Sequence, residues 1–178
     1  MRKLITGFAT SIDGFIEGPK GEIDWIIYDK EHFKELAEQW KRIDTMFHGR
    51  KTYEASLKMQ KGSTGKQANP FAHMKHYVFS RTLKKVEDKF ILINADLKTE
   101  VERIKKEPGG EIAVFGGAEL VSSLLNLDLV DELSLAICPV LLGKGKAFFP
   151  KIENRMNWNV KEVKTYSSGL IAITYQRK

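Results

Sequence analysis

The feature that most restricts this chain is an alternation: stretches of strand character are followed by helical ones four times, and only strands come after. A crossover long enough to hold a helix returns the chain to the same end of the sheet, so such strands run parallel and the helices cover both faces. The strand candidates are Arg2–Ala9, Thr45–His48, His76–Ser80, Phe90–Asn94, Ile112–Phe115 and a longer Glu132–Val140. At the end, Val160–Tyr166 and Ile171–Arg177, joined by Ser167-Ser168-Gly169, predict an antiparallel hairpin. The expected architecture is α/β, a three-layer αβα arrangement with a mostly parallel mixed sheet and the hairpin at one edge.

The helices announce themselves by period and by caps. Phe33, Leu36, Ala37 and Trp40 fall at i, i+3, i+4 and i+7 behind the N-cap candidate Asp29, predicting a helix over Lys30–Lys41 with that stripe toward the core. A short helix opens at Gly49-Arg50-Lys51-Thr52 and runs to about Met59, followed by a polar loop over Lys61–Asn69. Asp96 caps a third helix, with Leu97, Val101 and Ile104 on one face and Pro108-Gly109-Gly110 as its stop. The fourth spans Ala118–Asn126. Gly18–Gly21 is loop, and Leu141–Gly145 shapes a bend or bulge in a long strand whose pairing Pro139 limits.

Composition enters where it excludes. The 178 residues suit one domain over 1–178, and 42% hydrophobic with 29% charged residues is ordinary for a globular chain. No apolar run approaches the ~20 residues that span a bilayer, and the first residues lead straight into a strand, so a cytoplasmic protein without membrane contact is expected. A lone cysteine, Cys138, excludes an internal disulfide and reads as a buried small hydrophobe. His32, His48, His73 and His76 show no metal-ligand spacing, so no metal is expected. A net charge of +6 favours anionic partners, but the lysines are dispersed; small anions fit better than nucleic acid.

Three segments can take such anions. In Val114-Phe115-Gly116-Gly117-Ala118-Glu119-Leu120 a strand passes into a helix almost without a loop. Two glycines let a ligand approach the backbone, and the first amides of the helix, with its dipole, favour a pyrophosphate; a tight turn needing positive φ is the equal alternative. His48-Gly49-Arg50-Lys51-Thr52 repeats the arrangement with two cations and a hydroxyl. Cations at a helix N-terminus oppose the dipole, which favours a phosphate role over a merely solvated turn. Phe79-Ser80-Arg81-Thr82 ends another strand with groups suited to a phosphate monoester. Ligands of open α/β sheets sit beyond the carboxyl ends of the strands, which brings all three to one rim. Two helix N-termini and two arginines suit a pyrophosphate plus a further phosphate, the pair that NADPH carries.

With Ser11-Ile12-Asp13-Gly14 and Pro139-Val140-Leu141-Leu142-Gly143-Lys144-Gly145, these motifs occur in an order that resembles the dihydrofolate-reductase-like superfamily. Within it, the likeness is to the group holding the C-terminal reductase domain of the bifunctional riboflavin deaminase–reductase (the RibD C-terminal domain). The resemblance runs from Leu4 to Tyr175. It implies NADPH across the sheet edge: Arg50, Arg81 and Ser80 on the 2′-phosphate; Lys51, Thr52 and the Gly116, Gly117, Ala118, Glu119, Leu120 turn on the pyrophosphate; Ala9 and Ile16 beside the nicotinamide. It also implies a homodimer built by the strand-rich end. A deaminase's zinc ligands are missing, and Phe15 stands where the riboflavin reductases carry a basic residue. Dihydrofolate reductases carry an acid on the helix after the first strand; Asp29 and Glu31 lie near that place without a secure match.

On the substrate side, Asp13 either orients a heterocycle or holds the turn at Gly14. Trp25 and Phe33 either stack on a planar ring or pack. The expected activity is hydride transfer from NADPH to a pyrimidine- or pterin-like heterocycle, as in 5-amino-6-(5-phosphoribosylamino)uracil or dihydrofolate reduction. The alternative is an NADP(H)-binding sensor without turnover.

Overall fold

The computed structural model describes residues 1–62 and 71–178. Ten strands and four helices follow one another among them. The strands are β1 (Leu4–Ser11), β2 (Phe15–Glu17), β3 (Ile43–Gly49), β4 (Lys75–Phe79), β5 (Phe90–Ile93), β6 (Glu111–Gly116), β7 (Glu132–Cys138), β8 (Lys146–Ala147), β9 (Trp158–Thr165) and β10 (Ile171–Arg177). The helices are α1 (Lys30–Trp40), α2 (Arg50–Gly62), α3 (Leu97–Lys106) and α4 (Ala118–Asn126).

Eight strands form one sheet in the order β5-β4-β3-β6-β1-β7-β10-β9. The first six pair in parallel, and β10 and β9 join antiparallel. Strand alternation sends Phe47, Tyr77, Ile112 and Val114 to one face, into the main core with Val101 and Ile104 of α3 and Val121 and Leu124 of α4. The opposite face carries Met46 against Trp40 of α1, and Val78 against Tyr53 of α2. The three-layer reading of the sequence therefore holds.

Buried charge is paired wherever it occurs near the strand starts. Arg2 reaches Asp44 and Thr45, and Lys105 meets Asp131 at 2.6 Å and the Leu129 carbonyl at 3.0 Å. Asp29 caps α1 as expected, accepting from the Glu31 and His32 amides at 3.0 and 3.1 Å. Asp96 does the same for α3 through Thr99.

Four readings are corrected. The strand expected to reach Val140 stops at Cys138, because Pro139 brings no N–H to the ladder. Leu141–Gly145 is accordingly no bulge within it; it leads to β8, which pairs with β2 in a separate two-stranded sheet. Helix α2 continues past Met59 to Gly62, and the rest of the expected loop, from residue 63 on, lies outside the described residues. Finally, the apolar stripe of α1 is not sealed into the core: every residue of this helix stays at least partly exposed.

Candidate active site

The parallel strands aim their carboxyl ends at one rim, which reads across the sheet as Ser80, Gly49, Gly116, Ser11 and Cys138. Two helices open there side by side. Arg50 begins α2 directly after β3, and Gly117 is the N-cap of α4 directly after β6. The two junctions touch: a Cβ added to Gly49 would lie 3.2 Å from the Gly117 nitrogen and 3.5 Å from Leu120 Cβ. A Cβ on Gly117 would lie 3.2 Å from the Thr52 hydroxyl oxygen, so that hydroxyl sits over the Gly-Gly turn. The Gly116–Gly117 peptide is cis, and Gly116 has φ +115°. Among the described residues no side chain caps α4, and helix geometry leaves its first amides without intrahelical acceptors.

Cations surround this junction. Lys51 Nζ lies 3.6 Å from Glu119 Oε1, and Arg50 is 3.1 Å from Glu54 Oε1 on its own helix. Lys151, which the sequence reading did not single out, approaches the same Glu119 oxygen at 3.8 Å. Gly49 and Phe79 are register partners, which puts Ser80 and the exposed Arg81 beside Arg50. Ser80 Oγ accepts from the Thr82 and Leu83 amides at 3.2 and 3.0 Å, fixing that loop. The three expected phosphate segments are thus brought together.

Ala9 is half-buried, paired with Ala136 near the end of β1, and Ile16 on β2 is buried against the main core. Beside them an unexpected surface opens. Phe115 stands on β6, between β3 and β1 in the middle of the sheet, yet is 45% exposed. Its alternation with Val114 places it on the face that carries α1 and α2. Phe71 stands 6.3 Å away, ring to ring, and His48 lies 5.5 Å away, nearly fully buried.

His48 was not predicted to matter, because its partner is 28 residues on. His76 gives its Nε2–H to the Phe71 carbonyl at 2.9 Å, so its Nδ1 accepts from His48 Nε2 at 2.9 Å. That order leaves His48 Nδ1 without a hydrogen-bond partner among the described residues. Burial, reinforced by His76, pushes the His48 imidazole down to about 4.

The residues expected on the substrate side divide. Asp13 ties its turn to the segment after β7: its carboxylate accepts from the Gly143 amide at 2.7 Å and the Leu142 amide at 3.2 Å. Trp25 packs on Cys138, Tyr166 and Leu170 and donates its indole N–H to the Glu22 carbonyl at 3.1 Å. Phe33 stacks on the exposed Tyr28 at 4.0 Å between ring centres, outside the core clusters. Asp29 is committed to capping; hydrogen bonds from Ser168 and from the α1 amides hold its carboxyl below the usual range. Glu31 is exposed.

A hydrogen-bonded cluster joins α1 to the terminal hairpin. Lys164 Nζ holds Glu35 Oε2 at 2.9 Å, and Tyr166 donates to the same oxygen at 2.8 Å. The tyrosine oxygen then accepts from His32 Nδ1 at 3.3 Å, which leaves Nε2 as the nitrogen that titrates. Burial holds His32 below its ordinary value. No periodicity links positions 32, 35, 164 and 166; only the fold unites them.

The chain matches the RibD C-terminal domain over residues 2–172. It belongs to that family. Among relatives of this RibD C-terminal domain protein, the uncharacterized protein YyaP of Bacillus subtilis (strain 168) is 39% identical over 98% of this chain and 94% of its own. A putative riboflavin biosynthesis protein from Shewanella sp. PV-4 superposes with a TM-score of 0.84 at 26% identity, covering 99% of both chains. Dihydrofolate reductase from Enterococcus faecalis, complexed with NADP(H) and RAB-propyl, shares the fold with a TM-score of 0.69 at 18% identity, over 99% of this chain and 96% of its own. Its fold is that of the dihydrofolate-reductase-like proteins. Among the described residues, no helix is long and apolar enough to cross a membrane.

Proposed function

We propose that this protein is an NADPH-dependent reductase acting on a small planar nitrogen heterocycle, pyrimidine- or pterin-like. The observation that carries the proposal is the contact between the two strand–helix junctions, with the Thr52 hydroxyl over Gly116-Gly117. A side chain at Gly49, Gly116 or Gly117 would fill that cradle, and the cations around it suit phosphates. Thr52, Lys51 and the first amides of α4 are the groups to hold the pyrophosphate. Arg50, Ser80 and Arg81 are those for the 2′-phosphate, and Ala9 and Ile16 flank the ring. NADPH supplies the hydride when bound, and the chain supplies position and charge.

The acceptor's place is the partly uncovered face between α1 and Phe115, where an aromatic wall suits a flat ring. Calorimetry with NADPH and NADH tests the reading. The wild-type chain should prefer NADPH, and Arg50→Ala with Arg81→Ala should abolish that preference, a loss of about a hundredfold for two charge-assisted contacts. No NADPH binding at millimolar concentration would sink the proposal. Oxidation of bound NADPH by a pyrimidine or pterin panel separates an enzyme from a sensor that binds without turnover.

We further propose a homodimer. Val160 and Val163 on the edge strand β9 are 61% and 54% exposed, and they share a sheet face with Ile173 and Tyr175. Light scattering should give twice the mass of one chain, and Val163→Lys should halve it; a wild-type monomer at micromolar concentration would refute this.

A further inference from the structure

Two of the cations expected on the cofactor's phosphates already hold an anion, and in both cases it is the protein's own. Glu119 stands in the first turn of α4 with one carboxylate oxygen 3.6 Å from Lys51 Nζ and 3.8 Å from Lys151 Nζ. Lys51 comes from the opposite junction and Lys151 from the segment after β8, so three separate parts of the fold converge on this oxygen. A negative charge between two ammonium groups at a helix N-terminus occupies the electrostatic position a phosphate would take. Glu54 does the same one helical turn along α2, where both of its oxygens accept from Arg50, at 3.1 and 3.3 Å.

We propose that Glu119 and Glu54 are built-in surrogate anions that compete with the cofactor, Glu119 at the pyrophosphate and Glu54 at the 2′-phosphate. The inference rests on the NADPH reading above and assigns Lys151 to the pyrophosphate site beside Lys51. These ion pairs are largely solvated, so releasing a cation costs little. The carboxylate nevertheless stays nearby and repels the incoming phosphate. Such a device lowers affinity by a fixed factor and lets two neighbouring positions tune total affinity and cofactor choice separately.

The test uses the full chain and the charge-neutral variants Glu119→Gln and Glu54→Gln, whose folding is checked by circular dichroism. Dissociation constants for NADPH, NADH and inorganic pyrophosphate are measured at low salt. Glu119→Gln should tighten NADPH, NADH and pyrophosphate alike, by about three- to tenfold for one removed like charge near each phosphate. Glu54→Gln should tighten NADPH by a similar factor and leave NADH unchanged, because only NADPH carries the 2′-phosphate. Weaker NADPH binding in Glu54→Gln would mean that Glu54 orients Arg50 for the phosphate, which overturns the proposal. Wild-type NADPH binding with no change in either variant overturns it too, and leaves the reductase reading standing. A wild-type chain that binds neither dinucleotide, with pyrophosphate tightened by Glu119→Gln, upholds the surrogate anion and removes the cofactor reading instead.

Discussion

Replacing Gly116 with alanine is expected to weaken NADPH binding by about a hundredfold or more, the worth of two charge-assisted hydrogen bonds. Two independent costs meet at this position. Its φ of +115° lies where L-residues are strained, by about 1–3 kcal/mol. The new Cβ would also stand 3.2 Å from Phe8 Cζ and 3.6 Å from Thr52 Oγ1. Phe8 is locked edge-on to the buried Phe148 at 4.9 Å, so it has little room to withdraw. Relief must come from the Gly116–Gly117 peptide, and that moves the N-cap of α4 away from Gly49 and Thr52. The phosphate cradle is lost with it. Gly21→Ala is the control: it has φ +82° and open space around the new Cβ, so it carries the backbone strain without touching the site. Thermal melts should show both variants destabilised, whereas calorimetry should show only Gly116→Ala losing NADPH. Tight NADPH binding by Gly116→Ala would mean that the phosphates lie elsewhere.

Much of this was legible in the sequence, and for identifiable reasons. Period and capping located α1, α3 and α4, since Asp29, Asp96 and Gly117 each sit where the first helical amides need an acceptor or open space. The three phosphate segments were legible because each is continuous in sequence, and the carboxyl-end rule brings continuous segments to one rim. What escaped notice depends on distance along the chain or on what covers a face. The stripe Phe33, Leu36, Trp40 says which side of α1 is apolar, but not that the sheet beneath leaves it half-open. Phe115 reads as one more buried strand residue, yet it is 45% exposed. Two residues of β8 are too few for any periodicity. Lys151, the His48–His76 pair and the cluster of His32, Glu35, Lys164 and Tyr166 all join positions far apart in sequence.

A core can be read from local pattern because any apolar side chain of suitable size satisfies it. A site depends on what is left uncovered, and that is a property of the assembled layers. The three expected phosphate segments rest on backbone and helix termini, which sequence announces, whereas the exposure of α1 and of Phe115 on β6 is set by how the layers assemble, which it does not.

The His48–His76 pair makes a second large effect predictable, on stability in mild acid. The hydrogen-bond order runs from the Phe71 carbonyl through His76 to His48 and ends on a buried nitrogen with no partner among the described residues. Among the described residues a proton arriving at His48 Nδ1 finds no acceptor, and the rings of Phe90 and Phe115 stand 5.7 and 5.5 Å from the imidazole. The imidazole therefore protonates at about 4 in the folded chain, against an ordinary value of 6.5 once unfolded. Because the folded value is the lower one, the stabilisation is complete above 6.5 and is lost as pH falls from there toward 4. The full loss is about 3 kcal/mol, a large share of the ~5–15 kcal/mol that holds a domain together. His32, also depressed by burial, adds to the slope in the same direction from its half-exposed site. Depressed carboxyls such as Asp44 and Glu132 begin to count only nearer their own unfolded values of 3.8 and 4.5. Urea melts between about pH 7 and pH 4.5 should therefore show the midpoint falling steadily, before those carboxyls take over. His48→Leu should start less stable, because His76 Nδ1 loses its donor, yet follow a much shallower slope. A wild-type midpoint that stays constant over that range would mean that His48 is not held neutral and buried beneath Phe115.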